Sequence, residues 1–106
     1  MALGPSEVDA IVARYLERVR QRVPVAAAYL YGSYATGEAD DDSDIDMAII
    51  SPAFGSDVAG EMSLLMRACW PDATHVEALP FSDAELENPS RGSFLREVLK
   101  TGRRVA

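Results

Sequence analysis

The chain reads as a member of the α+β class. Three observations carry this: apolar residues at helical spacing near both ends, apolar β-compatible runs between them, and Pro or Gly at the breaks. Val8, Ile11, Val12, Tyr15, Leu16 and Val19 recur at helical spacing, and Ser6 with Asp9 makes a capping-box-like start. A helix is therefore expected from residue 6 to about residue 22, ended by Pro24. Residues 26–31 and 45–50 have strand character. A second helix, residues 57–70, is expected to bury Val58, Met62, Leu65, Met66 and Cys69 and to stop before Pro71. Its methionines and its thiol are expected to serve packing rather than chemistry. Residues 82–90 form a polar connector with about one helical turn. The last helix, residues 90–101, is expected to pack Phe94, Leu95, Val98 and Leu99. Gly102 follows as its C′ residue, with Lys100, Arg103 and Arg104 at its negative end. No repeat or linker interrupts this order, so residues 1–106 are read as one domain.

The chemistry concentrates between the first two strands. Gly32-Ser33-Tyr34-Ala35-Thr36-Gly37 is followed, after a short acidic spacer, by Ser43-Asp44-Ile45-Asp46. Gly32 and Gly37 let backbone approach phosphate oxygens without a Cβ in the way, and Ser33 offers a hydroxyl and an amide. Gly32, Ser33 and Gly37, together with Ser43, are the candidate nucleotide-binding residues. Asp44 and Asp46 are two apart in a strand and so project from one face. Two carboxylates so placed repel unless a positive charge lies between them. A hard divalent cation with oxygen ligands, magnesium first, answers that need. Asp40, Asp41 and Asp42 fit a solvated loop instead. A calcium loop of the EF-hand type is excluded, because from Asp40 its required Gly and Glu positions hold Ile45 and Ser51.

With these residues in view, the sequence resembles the polymerase-beta-like nucleotidyltransferases, especially the minimal nucleotidyltransferase group. That group's pattern is Gly-Ser-x-Ala-Arg-Gly, a five-residue spacer and Ser-Asp-x-Asp-Leu. This chain departs from it only in Thr36 for Arg and Met47 for Leu. The resemblance spans nearly the whole chain and implies a small mixed β-sheet flanked by helices. It also implies a third carboxylate on the strand around residues 74–80, where Glu77 stands in place of the usual Asp; Asp72 is the lesser candidate. On this reading Asp44, Asp46 and Glu77 are catalytic and hold two Mg2+ ions, with ATP or another nucleoside triphosphate as donor. The resemblance further implies a HEPN-type helical protein as partner in a toxin and antitoxin pair, whose hydroxyl accepts the adenylyl group. Thr36 and Glu77, as departures, motivate an alternative: a catalytically weak antitoxin that neutralises its partner by contact. Transfer to a small molecule would require a second subunit. Association with further copies of the chain stays open.

Composition bears on the partners. The net charge of −7 and the absence of Lys or Arg between Arg22 and Arg67 argue against nucleic acid. The charge a triphosphate needs must then come from metal, backbone amides or distant arginines such as Arg91 and Arg96. The longest apolar run, residues 23–31, is far too short to span a bilayer, and the charged N-terminus lacks a signal core. A cytoplasmic protein is expected. His75 falls two residues before Glu77, where a structural role is expected over ligation. Tyr34 suits either stacking on a base or capping the core.

Overall fold

The computed structural model describes residues 3–69, 75–89 and 93–106. Among the described residues four strands form one mixed sheet: β1 (Ala27–Tyr31), β2 (Ile45–Ile50), β3 (Val76–Phe81) and β4 (Arg103–Arg104), in the order β3-β2-β1-β4. β1 runs antiparallel to both β2 and β4, whereas β2 and β3 are parallel. The parallel pair needs a crossover, and α3 (Val58–Ala68) supplies it. β2 is buried at every position except Asp46, as its apolar run demands of a central strand. Among the described residues β3 has a neighbour on one side only, and such an edge tolerates Pro80.

Helix α1 (Pro5–Arg20) and α3 cover one face of the sheet, and α5 (Phe94–Thr101) packs against the other. On the first face, Val8, Val12, Tyr15, Leu16 and Val19 pack with Leu30, Met47, Ile49 and Leu65. The Tyr15 hydroxyl donates to the Leu65 carbonyl at 2.9 Å, tying the two helices together. On the second face, Leu95 and Val98 meet Ala27, Ala48 and Ile50. Layers of this kind are what the alternation of apolar positions in β1 and β2 requires.

Several local expectations need correction. The cap of α1 is Gly4 with Pro5 in the first turn, and no side chain caps it, so Ser6 and Asp9 form no capping box. The capping box lies instead at α4 (Asp83–Glu87), between Ser82 and Glu85. In α3 the exposed residues are Val58 at 55%, Met62 at 41% and Met66 at 73%, while Glu61, Leu65 and Ala68 are buried. Glu61 can be buried there because backbone amides of the loop just before the helix hold its carboxylate. Its Oε1 accepts from Gly55 N–H at 3.0 Å, and its Oε2 accepts from the Gly55 and Asp57 N–H groups at 3.0 Å and from Ser56 N–H at 3.3 Å. Phe94 is likewise half exposed. Gly102 is extended rather than left-handed, and Arg103 and Arg104 continue into β4 instead of serving the helix end. A Cβ at Gly102 would stand 2.6 Å from the Val98 carbonyl oxygen and 2.7 Å from that of Leu30, which explains the glycine.

Candidate active site

β1 ends at Tyr31, and Gly32 turns the chain with φ +72 into α2 (Ser33–Thr36), a single helical turn closed by Gly37 at φ +84. Both glycines adopt the left-handed backbone that side chains rarely allow. Gly32 has a second reason to lack a Cβ, because one there would collide with the Asp46 carboxylate. The turn and the acid are therefore in direct apposition. Ser33 opens α2 and is half-buried.

The sheet register then assembles a row. Asp46 pairs with Tyr31 on one side and with Glu77 on the other, and directly opposed residues share a face. Tyr31, Asp46 and Glu77 therefore lie side by side across β1, β2 and β3. Asp44, just before β2, has the same parity as Asp46. Burial pushes the Asp46 carboxyl up from 3.8 to about 6, with the charges of Glu77 and then Asp44 and a hydrogen bond to Glu77 adding to it. The Tyr31 phenol is pushed up to about 12 by burial and by the charges of Asp46 and Glu77. Its ring meets Phe94 edge to face, with centroids 5.2 Å apart.

Among the described residues, no three His, Cys, Asp or Glu side chains close on a common point. The row is an open one: Asp46 and Glu77 in contact, with Asp44 alongside. In kind the donors fit a hard divalent cation, since they are all carboxylate oxygens and their mutual repulsion is already visible at Asp46.

The remaining candidates fall into place around the row. Ser43 Oγ accepts from the Asp40 N–H at 2.9 Å and donates to Asp40 Oδ1 at 3.2 Å, so it shapes the acidic loop. Thr36, where the family pattern has Arg, donates to the Gly32 carbonyl at 3.3 Å and to Glu38 at 3.0 Å. Tyr34 packs against the core and accepts from the Leu3 N–H at 3.2 Å, which is the capping alternative. His75 is exposed, and its carbonyl accepts from Ile45 N–H at 2.7 Å. Cys69 is a packed thiol, donating to the Val76 carbonyl at 3.3 Å and raised by burial. Asp72 and Arg91 lie outside the described residues, and Arg96 is exposed on α5.

Two clefts adjoin these elements. An apolar groove of about 280 Å³ borders Glu77 and Tyr31 and is lined by Met62, Leu65, Met66 and Leu79. Sequence reasoning missed it by assigning the methionines to the core. A second cleft, of about 440 Å³, borders Ser33 and Gly37, with Tyr34, Asp9 and Arg103 in its walls. Arg103 was also missed there, because the two-residue strand that carries it is too short to give a sequence signal.

The chain belongs to the nucleotidyltransferase domain family, whose model matches residues 12–87. No curated protein matches the sequence closely. Among solved structures it is similar to a Sulfolobus solfataricus protein proposed to be a nucleotidyltransferase. The two share 21% identity and a TM-score of 0.68 over 98% of this chain and 89% of that one. The small mixed sheet flanked by helices is thus the nucleotidyltransferase fold. Among the described residues, no helix is long and apolar enough to cross a membrane.

Proposed function

We propose that this member of the nucleotidyltransferase family is a metal-dependent enzyme that moves an adenylyl group from ATP to a hydroxyl of a protein partner. The observation that carries the reading is the apposition of the Gly32 turn to Asp46, with Glu77 beside that carboxylate across the β2–β3 register. A phosphate-cradling turn and a carboxylate row serve one reaction only when they face the same phosphorus.

Asp44, Asp46 and Glu77 would hold the divalent metal, magnesium by donor type, and two ions by analogy with the family. When bound, the metal polarises phosphate oxygens and neutralises the leaving pyrophosphate. Backbone amides of the turn and Ser33 hold the phosphates, with Gly37 closing the turn and Ser43 fixing the loop that leads to Asp44. The acceptor oxygen attacks the α-phosphorus in line. The new P–O bond forms as the bond to pyrophosphate breaks, and Glu77 takes the hydroxyl proton.

A protein acceptor is favoured by the surroundings of Glu77. The groove beside it is apolar, and the net charge of −7 repels a nucleic-acid strand. The resemblance to minimal nucleotidyltransferases makes a HEPN-type protein the partner to test first. The experiment is incubation with labelled ATP and Mg2+ together with either a co-purifying partner or mixed tRNA and single-stranded DNA. Label is expected on the protein; label on nucleic acid alone would overturn the acceptor assignment.

A second reading, a contact antitoxin with little turnover, draws on Thr36 and Glu77. Neutralisation of the partner that survives Asp44→Asn combined with Asp46→Asn would favour it over catalysis.

A further inference from the structure

We propose that Phe94, with Tyr31 packed against it, is the platform on which the base of the nucleotide donor stacks. The inference rests on the nucleotidyltransferase reading and adds to it a residue outside the stretch that the family model matches.

The sheet places the pair. Tyr31 sits opposite Asp46 in the β1–β2 register, on the face that also carries Glu77. α5 packs on this same face through Leu95 and Val98, against Ala27, Ala48 and Ile50. Its first residue, Phe94, thereby meets Tyr31 edge to face, with the ring planes 82° apart. Across the face the order is Glu77, Asp46, Tyr31, with Phe94 against the last. Neighbouring strands are about 4.8 Å apart, so Tyr31 stands one strand spacing from Asp46 and Phe94 one ring contact further.

Packing alone does not account for Phe94. Leu95 and Val98 are buried and anchor α5, and Ser93 Oγ caps the helix by accepting from Arg96 N–H at 3.1 Å. Phe94 adds a ring that is half exposed. In an edge-to-face pair one ring uses only its edge, so an aromatic face is left uncovered by the partner. Nucleobases stack on such a face whatever their sequence identity, because every base has a π face of its own. The other large apolar side chains that the described residues leave exposed, Val58, Met62 and Met66, belong to α3 on the opposite face of the sheet. Phe94 is the one aromatic among them.

The donor, rather than the acceptor, fits this place. Tyr31 is directly followed by Gly32, which opens the phosphate-holding turn, so the aromatic pair and the turn lie at the same end of β1. Glu77, which takes the acceptor's proton on this reading, is two strands away on β3. A nucleotide with its phosphates at the turn and its α-phosphorus at Asp46 therefore finds the uncovered ring on its own side of the carboxylate row.

The test is calorimetric titration of ATP and of inorganic tripolyphosphate, each with Mg2+, into wild type, Phe94→Ala, Phe94→Leu and Phe94→Tyr. Phe94→Ala should weaken ATP about 10-fold or more and leave tripolyphosphate, which has no base, unchanged. Phe94→Leu keeps apolar bulk without a π face and should be nearly as weak for ATP, whereas Phe94→Tyr should bind like wild type. Full ATP affinity in Phe94→Leu, or an equal loss for ATP and tripolyphosphate in Phe94→Ala and Phe94→Leu, would overturn the platform alone. So would a wild type that binds tripolyphosphate as tightly as ATP. A wild type that binds neither ligand would overturn the functional reading and this inference with it.

Discussion

Two acidic regions of this molecule face opposite circumstances. Glu61 is buried, and three successive backbone amides converge on its carboxylate. Asp46 is half-buried at the end of an otherwise sealed strand, and its nearest charged neighbours are carboxylates, Glu77 and Asp44. The first acid is stabilised by what surrounds it. The second is destabilised: among the described residues, the influences that act on its carboxyl all raise it. A fold can keep such a row when a ligand supplies the missing positive charge. Satisfaction at Glu61 fits a structural acid, whereas frustration at Asp46 supports the metal-site role proposed for it.

The contrast is broken most severely by substitution at each centre. Asp46→Asn should lower transfer by about 100-fold or more, because it removes a ligand charge. In the same variant the unliganded protein should melt about 3 °C higher, since the repulsion with Glu77 is gone. A melting point that falls would place Asp46 with the structural acids. Glu61→Ala should do the reverse. It strands buried amides and should cost about 3 kcal/mol, lowering the melting temperature by more than about 10 °C. Nucleotide affinity, measured well below that melting point, should stay near wild type.

Glu77 sharpens the comparison within the row. Glu77→Gln should abolish transfer in an assay of label incorporation, whereas Glu77→Asp should retain or raise it by restoring the family's usual residue. Wild-type turnover in Glu77→Gln would move the third-carboxylate role elsewhere.

The smallest effect is on pH. The Asp46 carboxyl titrates at about 6 in the fold against 3.8 unfolded. The native state thus holds the extra proton between those values, and stability falls as pH rises through that window. The group is half exposed, so the change should be less than about 1 kcal/mol after screening. Denaturant melts of metal-free protein at pH 4 and pH 7 should show it as the part of the pH dependence that wild type has and Asp46→Asn lacks.

The legible parts of this chain were those written in local pattern. Val8 to Val19 at helical spacing announced α1, and the alternation around Asp46 gave its parity in β2, with Asp44 just before that strand. What escaped depended on hydrogen bonds and strand pairings that no periodicity carries. The buried face of α3 carries Glu61, held by amides of the loop before it, with Leu65 and Ala68, so the apolar spacing of Val58, Met62 and Met66 pointed to the wrong side. The stripe of methionines instead lines a groove next to Glu77. Arg103 was read as a helix-end charge because nothing in two residues announces an edge strand; its pairing with β1 sets it opposite Leu30, within reach of Asp9 on α1. The turn-to-carboxylate apposition was legible as spacing, whereas the contact of Asp46 with Glu77 needed the parallel register of β2 and β3.

The central claim is that the carboxylate row and the Gly32 turn form one nucleotide and metal site. It is tested most directly by melting the protein with Mg2+ and ATP together, each alone, and neither, in wild type and in Asp44→Asn combined with Asp46→Asn. A ligand that binds only the folded state raises its stability in proportion to occupancy, by about 2.7 kcal/mol at a hundredfold excess over Kd. Wild type should rise by several degrees with the pair of ligands and little with either alone, and the double variant should not respond. A wild type indifferent to the combination, or a double variant that responds as strongly, would contradict the account.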